Sequence, residues 1–311
     1  MPPATTATDP PLSPRALHPR GDGPHGRPRF THVLLDLDDT LYRHERVGAM
    51  VRANIERYVS EHLGVPSDEA AELTARLYVS HGTTMAGLAQ EGHALDPDHW
   101  HERVHAPLAY EELLARDDAL VAMLRRMAAC KKCHVFTNAD RRHMDVCLRL
   151  LGVSSEQGVA WGGGGAGGED AFYYFERMQR IGAEAGLVPD ASHPSAGHRG
   201  KGFLAKPDPA AFRLVAERAG APSPRTCVFV DDSARNVASA RSVGMFTVLV
   251  GRRRDEVVAG ADLCVETVLE LEEVLPELFD GGGGGGGGGA GDDECGAELA
   301  AAAVPIKVVA G

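Results

Sequence analysis

No apolar run in the chain approaches the ~20 residues that a membrane-crossing helix needs. Basic residues are in short supply: 32 Lys and Arg stand against 44 Asp and Glu, for a formal net charge of −12. The first absence argues against a membrane protein. The second removes the positive field that would hold a nucleic-acid polymer or an anionic bilayer, so any phosphate recognition has to be local. Cysteine is also sparse. The six thiols (Cys130, Cys133, Cys147, Cys227, Cys264 and Cys295) are scattered, several of them within apolar segments. That spacing makes no disulfide framework and fits a reducing compartment, the cytoplasm being expected. Residues 1–29 lack the apolar core of a secretory signal and are rich in Pro, Gly, Arg and Thr. They are expected to be a disordered arm; an organelle transit peptide is the alternative, and the prolines argue against its amphipathic helix. Residues 281–289 are nine glycines with no side chains to pack, so 280–311 is expected to be a flexible tail. Neither end carries a motif, and both are expected to be dispensable for catalysis.

Between these ends, 43% hydrophobic residues overall suit a globular protein, and apolar runs alternate with helical patterns. His32 to Leu37 reads as a strand entering a cluster of acids. Val47, Met50, Val51, Ile55, Tyr58, Val59 and Leu63 recur at helical steps, and Ser67 is placed to cap a second helix. His134 to Thr137, Thr226 to Val230 and Phe246 to Val250 read as further strands. Helices are expected at about 141–151, stopped by Gly152, after Asp208-Pro209, and at about 234–243. Residues 161–168 and 189–202 read as loop insertions. Alternating strands and helices imply a parallel sheet covered on both faces, with its site at the carboxyl ends of the strands.

Four polar clusters lie at such ends. Asp36-Leu37-Asp38-Asp39-Thr40 follows Val33-Leu34-Leu35. Val135-Phe136-Thr137-Asn138 ends a strand in a hydroxyl. Lys206-Pro207-Asp208-Pro209 sets a lysine before a helix start. Phe229-Val230-Asp231-Asp232-Ser233 places two acids side by side. Each alone has an ordinary reading: a capped turn, a strand end, a surface lysine, solvated acids. The adjacent acids are the most telling, since their repulsion is relieved by a cation.

Taken in order, the four clusters resemble the signature of the haloacid dehalogenase-like hydrolase superfamily, over about Phe30 to Phe279. Leu37 to Tyr42, Gly82 to Leu88 and Asp231-Asp232-Ser233-x-x-Asn236 resemble its pyrimidine 5′-nucleotidase branch. The resemblance implies a doubly wound, Rossmann-like α/β core at 30–42 and 128–279, with a helical cap inserted at 43–127. It implies a Mg²⁺-dependent phosphomonoester hydrolase. Asp36 would be the nucleophile, Asp38 the general acid and base, and Lys206 the cation on the transferring group. Thr137, the Asn138 backbone and Lys206 would bind phosphate. Mg²⁺ would be held by Asp36, the Asp38 carbonyl and Asp232, with Asp231 bound or nearby. An acid at Asp38 separates the chain from the dehalogenases and transport ATPases of the same superfamily. The substrate expected is a small phosphorylated metabolite, UMP or CMP first. No nucleic-acid polymer, membrane or obligate protein partner is implied.

Three other motifs carry rival readings. His101-Glu102-Arg103-Val104-His105 matches the H-E-x-x-H pattern of zinc peptidases, but Arg103 and Pro107 fit poorly and no third ligand is indicated. Cys130-Lys131-Lys132-Cys133 ends a helix and enters a strand, the reverse of a redox pair, and a zinc site lacks its second pair. Arg252 to Arg254 is too short a basic run for nucleic acid and reads as a solvated loop. A catalytically silent interaction protein is the remaining alternative; the four intact clusters weigh against it.

Overall fold

The computed structural model describes residues 30–163, 171–173, 176–187 and 204–280. The expected arm, the tail beyond Asp280, the expected insertion at 189–202 and residues 164–168 of the one at 161–168 lie outside them. Strand β1 (His32–Leu35) leads into helices α1 (Glu45–Leu63), α2 (Ser67–His81), α3 (Thr84–Gln90), α4 (Pro97–Val104), α5 (Tyr110–Leu113) and α6 (Asp118–Cys130). Then come β2 (Lys132–Phe136), α7 (Arg141–Leu151), β3 (Ala171–Phe172), α8 (Glu176–Glu184) and α9 (Pro209–Arg218). The chain continues through β4 (Cys227–Asp231), α10 (Ala234–Ser242), β5 (Phe246–Val250), β6 (Leu263–Val265) and α11 (Leu271–Val274).

The six strands form one sheet in the order β3-β2-β1-β4-β5-β6, and every neighbouring pair is parallel. This is the doubly wound α/β fold. Side chains alternate across a strand, and the packing follows that period. Val33 and Leu35 of β1 join one cluster with Leu120, Leu124 and Met127 of α6 and Leu148 and Leu151 of α7. Leu34 faces the other side, with Phe212 and Val215 of α9 and Val237 and Ala240 of α10. The strand order reverses direction between β1 and β4, which opens a crevice at their carboxyl ends. Asp36 and Asp231 stand on its two sides.

A third cluster joins α1 to α4 through Tyr58, Val59, Leu77, Leu88, Trp100 and Val104. The self-packed helical layer is thus α1–α4. Helices α5 and α6, within the span 43–127 expected for a cap, contribute Tyr110, Leu113, Leu120 and Met127 to the sheet cluster instead. The expected strand to Leu37 stops at Leu35 because the chain turns, with Asp39 at φ 56°. Ser67 is the first residue of α2 rather than its cap; Pro66 holds the cap position, and the Ser67 hydroxyl meets that of Ser60 at 2.9 Å. Gly152 ends α7 in the left-handed conformation, φ 83°. No helix among the described residues is long and apolar enough to cross a membrane.

Candidate active site

The four clusters, distant in sequence, meet at one cavity of about 500 Å³ lined by Asp36, Asp38, Thr137, Asn138, Lys206 and Asp232 together with residues of α1 and α2. Asp36 is fixed by its own backbone: its amide donates to the Val230 carbonyl at 2.9 Å, extending the sheet by one bond. Lys206 is buried, and its ammonium lies 2.7 Å from Asp36 Oδ1 and 2.7 Å from Asp231 Oδ2. The Phe136 and Phe229 rings sit 5.3 and 5.6 Å from the ammonium. The lysine loop is held by the Asn138 side chain, whose Nδ2 donates to the Lys206 carbonyl at 2.8 Å and whose Oδ1 accepts from the Lys206 amide at 3.1 Å. Asp208 caps α9 by accepting from the Ala210 amide at 2.8 Å.

Asp231 is the last residue of β4 and fully buried. Besides Lys206 it accepts from the Ser233 amide at 2.8 Å and from Asn236 Nδ2 at 3.0 and 3.1 Å. Its oxygens are occupied. Asp232 reaches the cavity rim without such partners. Desolvation by the cavity wall, with Asp231 beside it, pushes its carboxyl up to about 7. Burial likewise raises Asp36 well above the usual carboxylate range; Lys206 opposes this, while Asp231 and Asp232 add to it. Oxygens of Asp36, Asp231 and Asp232 all lie within 4.8 Å of one another. Were all three carboxylates ionised, one ammonium would leave about two negative charges uncompensated, which is what raises Asp36 and Asp232 further, and an all-oxygen set of that charge suits Mg²⁺.

Asp38 has a different setting. His143 Nε2 lies 2.8 Å from its Oδ1, and the Tyr42 hydroxyl donates to the same oxygen. Burial works to raise Asp38, but the charge and hydrogen bond of His143, aided by Tyr42, hold it down at about 2. His143 is buried, its Nδ1 2.7 Å from the Tyr110 hydroxyl. Burial opposes its charge, yet Asp38 keeps its pKa well above the usual histidine value. His143, Tyr110 and Asp140 go unmarked in the sequence reading. A faint signal existed: Asp140 and His143 stand two and five residues beyond Asn138. Thr137 is buried, and its hydroxyl accepts from the Ala139 amide at 3.0 Å.

A family profile for haloacid dehalogenase-like hydrolases matches residues 30–244. The chain belongs to this family. Among curated relatives, phosphate metabolism protein 8 of Saccharomyces cerevisiae is 25% identical over 222 residues, covering 70% of this chain and 60% of that protein. The chain thus spans 60% of that relative's length. A solved haloacid dehalogenase-like phosphatase from Thermococcus onnurineus superposes with TM-score 0.47 at 21% identity, over 79% of this chain and 98% of that one. The magnesium-bound hydrolase YfnB of Bacillus subtilis gives TM-score 0.46 at 17% identity, over 79% and 99%.

Of the rival motifs, only the H-E-x-x-H stretch reaches the cavity, through His105. Glu102 of the H-E-x-x-H stretch points to solvent while Val104 is buried, so the glutamate is not placed to act as a base beside the two histidines. A third donor, expected to be missing, is present: Asp140 meets both His101 and His105. Cys130 ends α6 and Cys133 lies in β2. Among the described residues five cysteines are free, and burial pushes Cys133 up to about 12, against a thiolate role.

Proposed function

We propose that the chain is a Mg²⁺-dependent phosphomonoesterase acting through an aspartyl-phosphate on Asp36, with pyrimidine nucleoside 5′-monophosphates such as UMP and CMP as preferred substrates. The observation that carries this is the Lys206 ammonium locked between Asp36 and Asp231 at 2.7 Å each, at a cavity that also holds Asp38 and Asp232.

Phosphomonoesters resist attack because their oxygens repel a nucleophile, so the site must supply positive charge and alignment. Lys206 neutralises charge on the nucleophile and on the incoming group. The Thr137 hydroxyl and Asn138 amide donate to phosphoryl oxygens. An Asp36 oxygen attacks phosphorus as the ester P–O bond breaks, and the proton held between His143 Nε2 and Asp38, 2.8 Å apart, passes through the Asp38 carboxyl to the departing oxygen. Asp38 then takes a proton from the water that cleaves the aspartyl-phosphate, returning Asp36. His143 and Tyr42 hold the Asp38 carboxyl in one position through both steps. Asp36, the Asp38 carbonyl and Asp232 would hold Mg²⁺, with Asp231 beside it; the ion supplies further neutralisation of the transferring group.

Helices α1–α4 serve as the cap, closing over the phosphate and reading the rest of the substrate. A cavity of about 500 Å³ is within the usual range for a small-molecule site. The nucleotide reading rests on the three stretches that mark the branch, each of which touches the catalytic residues. Tyr42 binds Asp38, Gly82 abuts the Lys206 carbonyl, and Asn236 binds Asp231.

The test is phosphate release from UMP, CMP, purine nucleotides and sugar phosphates, in Mg²⁺ and in EDTA. Pyrimidine nucleotides should turn over fastest, EDTA should abolish release and Mg²⁺ should restore it. Equal rates on sugar phosphates would reject the substrate class. Full activity in EDTA would reject the metal, and no release from any compound would reject the activity.

A further inference from the structure

The H-E-x-x-H stretch retains a use once its glutamate is set aside. Helix α4 begins at Pro97, capped by Asp96, whose side chain accepts from the Asp98 and His99 amides. His101 lies inside it, and His105 follows one turn on, its amide donating to the His101 carbonyl at 3.0 Å. Residues four apart share a helix face. Trp100 and Val104 bury the neighbouring face among α1–α3, which leaves both imidazoles directed at the start of α7. There Asp140 receives them. His101 Nδ1 lies 3.0 and 2.9 Å from its two oxygens, and His105 Nδ1 contacts Oδ2. Asp140 Oδ1 also accepts from the His143 amide at 3.0 Å, capping α7 and fixing the carboxylate.

We propose that His101, His105 and Asp140 form a second metal site, for a borderline transition ion of the Zn²⁺ class, which clamps α4 to the amino end of α7. Two imidazoles and one carboxylate are a zinc donor set, and they disfavour Mg²⁺, which takes oxygen. Their donor atoms all lie within 4.8 Å of one another. A tetrahedral ion with bonds of about 2.0–2.1 Å needs its ligands about 3.3 Å apart, so His101 Nδ1, 2.9 Å from Asp140 Oδ2, must move out by a few tenths of an ångström, and His105, which sits closer to that oxygen, must move further. Each Nδ1 that now donates to the carboxylate would present its lone pair instead, its proton passing to Nε2. The three side chains are 13–15% exposed, shielded yet reachable. His105 and Asp140 also line the main cavity, which gives water access to the fourth position. The set shares no donor with Asp36, Asp231 and Asp232. A third cluster, Asp38, His143 and Cys147, contains the catalytic Asp38, whose carboxylate is engaged by Tyr42 and His143.

The experiment uses the full chain, stripped by chelator and kept in millimolar Mg²⁺, titrated with Zn²⁺ against a chromogenic competitor. One Zn²⁺ should bind per chain in the wild type and in Asp232→Asn. His101→Gln and Asp140→Asn, on different helices, should each weaken it beyond the ~10–100-fold typical of lost ligand support; asparagine keeps the cap. In the wild type, Zn²⁺ should protect His101 and His105, but not His93, from carbethoxylation mapped by mass spectrometry. This arm needs no variant to fold. No Zn²⁺ bound above the Mg²⁺ background, unchanged affinity in both variants, or unprotected histidines would overturn the proposal. Phosphate release is not measured, so this outcome and that of the phosphatase test stand apart.

Discussion

Asp36 and Asp38 stand two residues apart, yet their surroundings set them oppositely. Asp36 faces an ammonium within a crowd of acids, and burial raises it. Asp38 faces an imidazole and a phenol and is held at about 2. The difference gives the sharpest test of roles. Asp36→Asn should form no covalent intermediate with any substrate. Asp38→Asn should still react with an aryl phosphate, whose leaving group needs no proton, and the aspartyl-phosphate should persist because nothing activates water. Rapid acid quench should therefore trap phosphoprotein from Asp38→Asn alone; equal labelling would mean the nucleophile is misassigned. The paired acids invite a second comparison. Asp232→Ala should weaken Mg²⁺ binding more than Asp39→Ala, because Asp232 belongs to the close carboxylate trio and Asp39 does not. Direct Mg²⁺ titration of the two variants checks this. Asp36, Thr137, Asp231 and Asp232 were legible in sequence because each ends an apolar run that forms a strand, where the fold collects polar groups, and Lys206, in the loop before α9, was legible by its order among them. His143 and Asp140 were not, because a histidine and an aspartate near a helix start look like caps and surface. Only the docking of α7 against Asp38 and Tyr110 gives His143 its partners.

Strands β2, β4 and β5 and helix α7 were legible as elements because apolar runs and a Gly152 stop are local signals. The division of the inserted helices was not, since α1–α4 and α5–α6 are all amphipathic and differ only in what their faces meet. At this scale the end of α2 carries an unexpected constraint. Gly82 ends it at φ +83°, and a Cβ there would lie 2.6 Å from the Lys206 carbonyl oxygen and 2.6 Å from Pro207 Cδ. Gly64 ends α1 at φ +71° with nothing within 4 Å. Both positions strain an alanine by about 1–2 kcal/mol, but only Gly82→Ala also pushes on the loop that holds the catalytic lysine. Gly64→Ala should lower Tm and leave kcat within about twofold. Gly82→Ala should lower kcat by 10-fold or more, as a displacement near 1 Å can cost ~100-fold. Thermal melts beside steady-state kinetics check it; equal kcat in the two variants would show that the Gly82 contact does not govern the lysine.

Across the whole molecule, the sheet class followed from alternation, but the strand order did not, because register and neighbours are set by packing between distant segments. That order places β1 between β2 and β4, pairing His32 with Lys132 on one side and Cys227 on the other. Such non-local pairing is slow to pay back its loop-closure entropy. A chain emerging from the ribosome at about 5–20 residues per second makes the nucleophile's strand on the order of ten seconds or more before the strand that completes its surroundings. Until then Val33 and Leu35 have one neighbour strand, and the acid after them has no lysine. Nascent chains arrested before residue 227 should be digested quickly by a nonspecific protease, and chains arrested with β4 to β6 outside the tunnel should resist. Birth order and assembly order thus run against each other, and a co-translational chaperone that shields β1 would matter more here than for a protein whose central strand is made last.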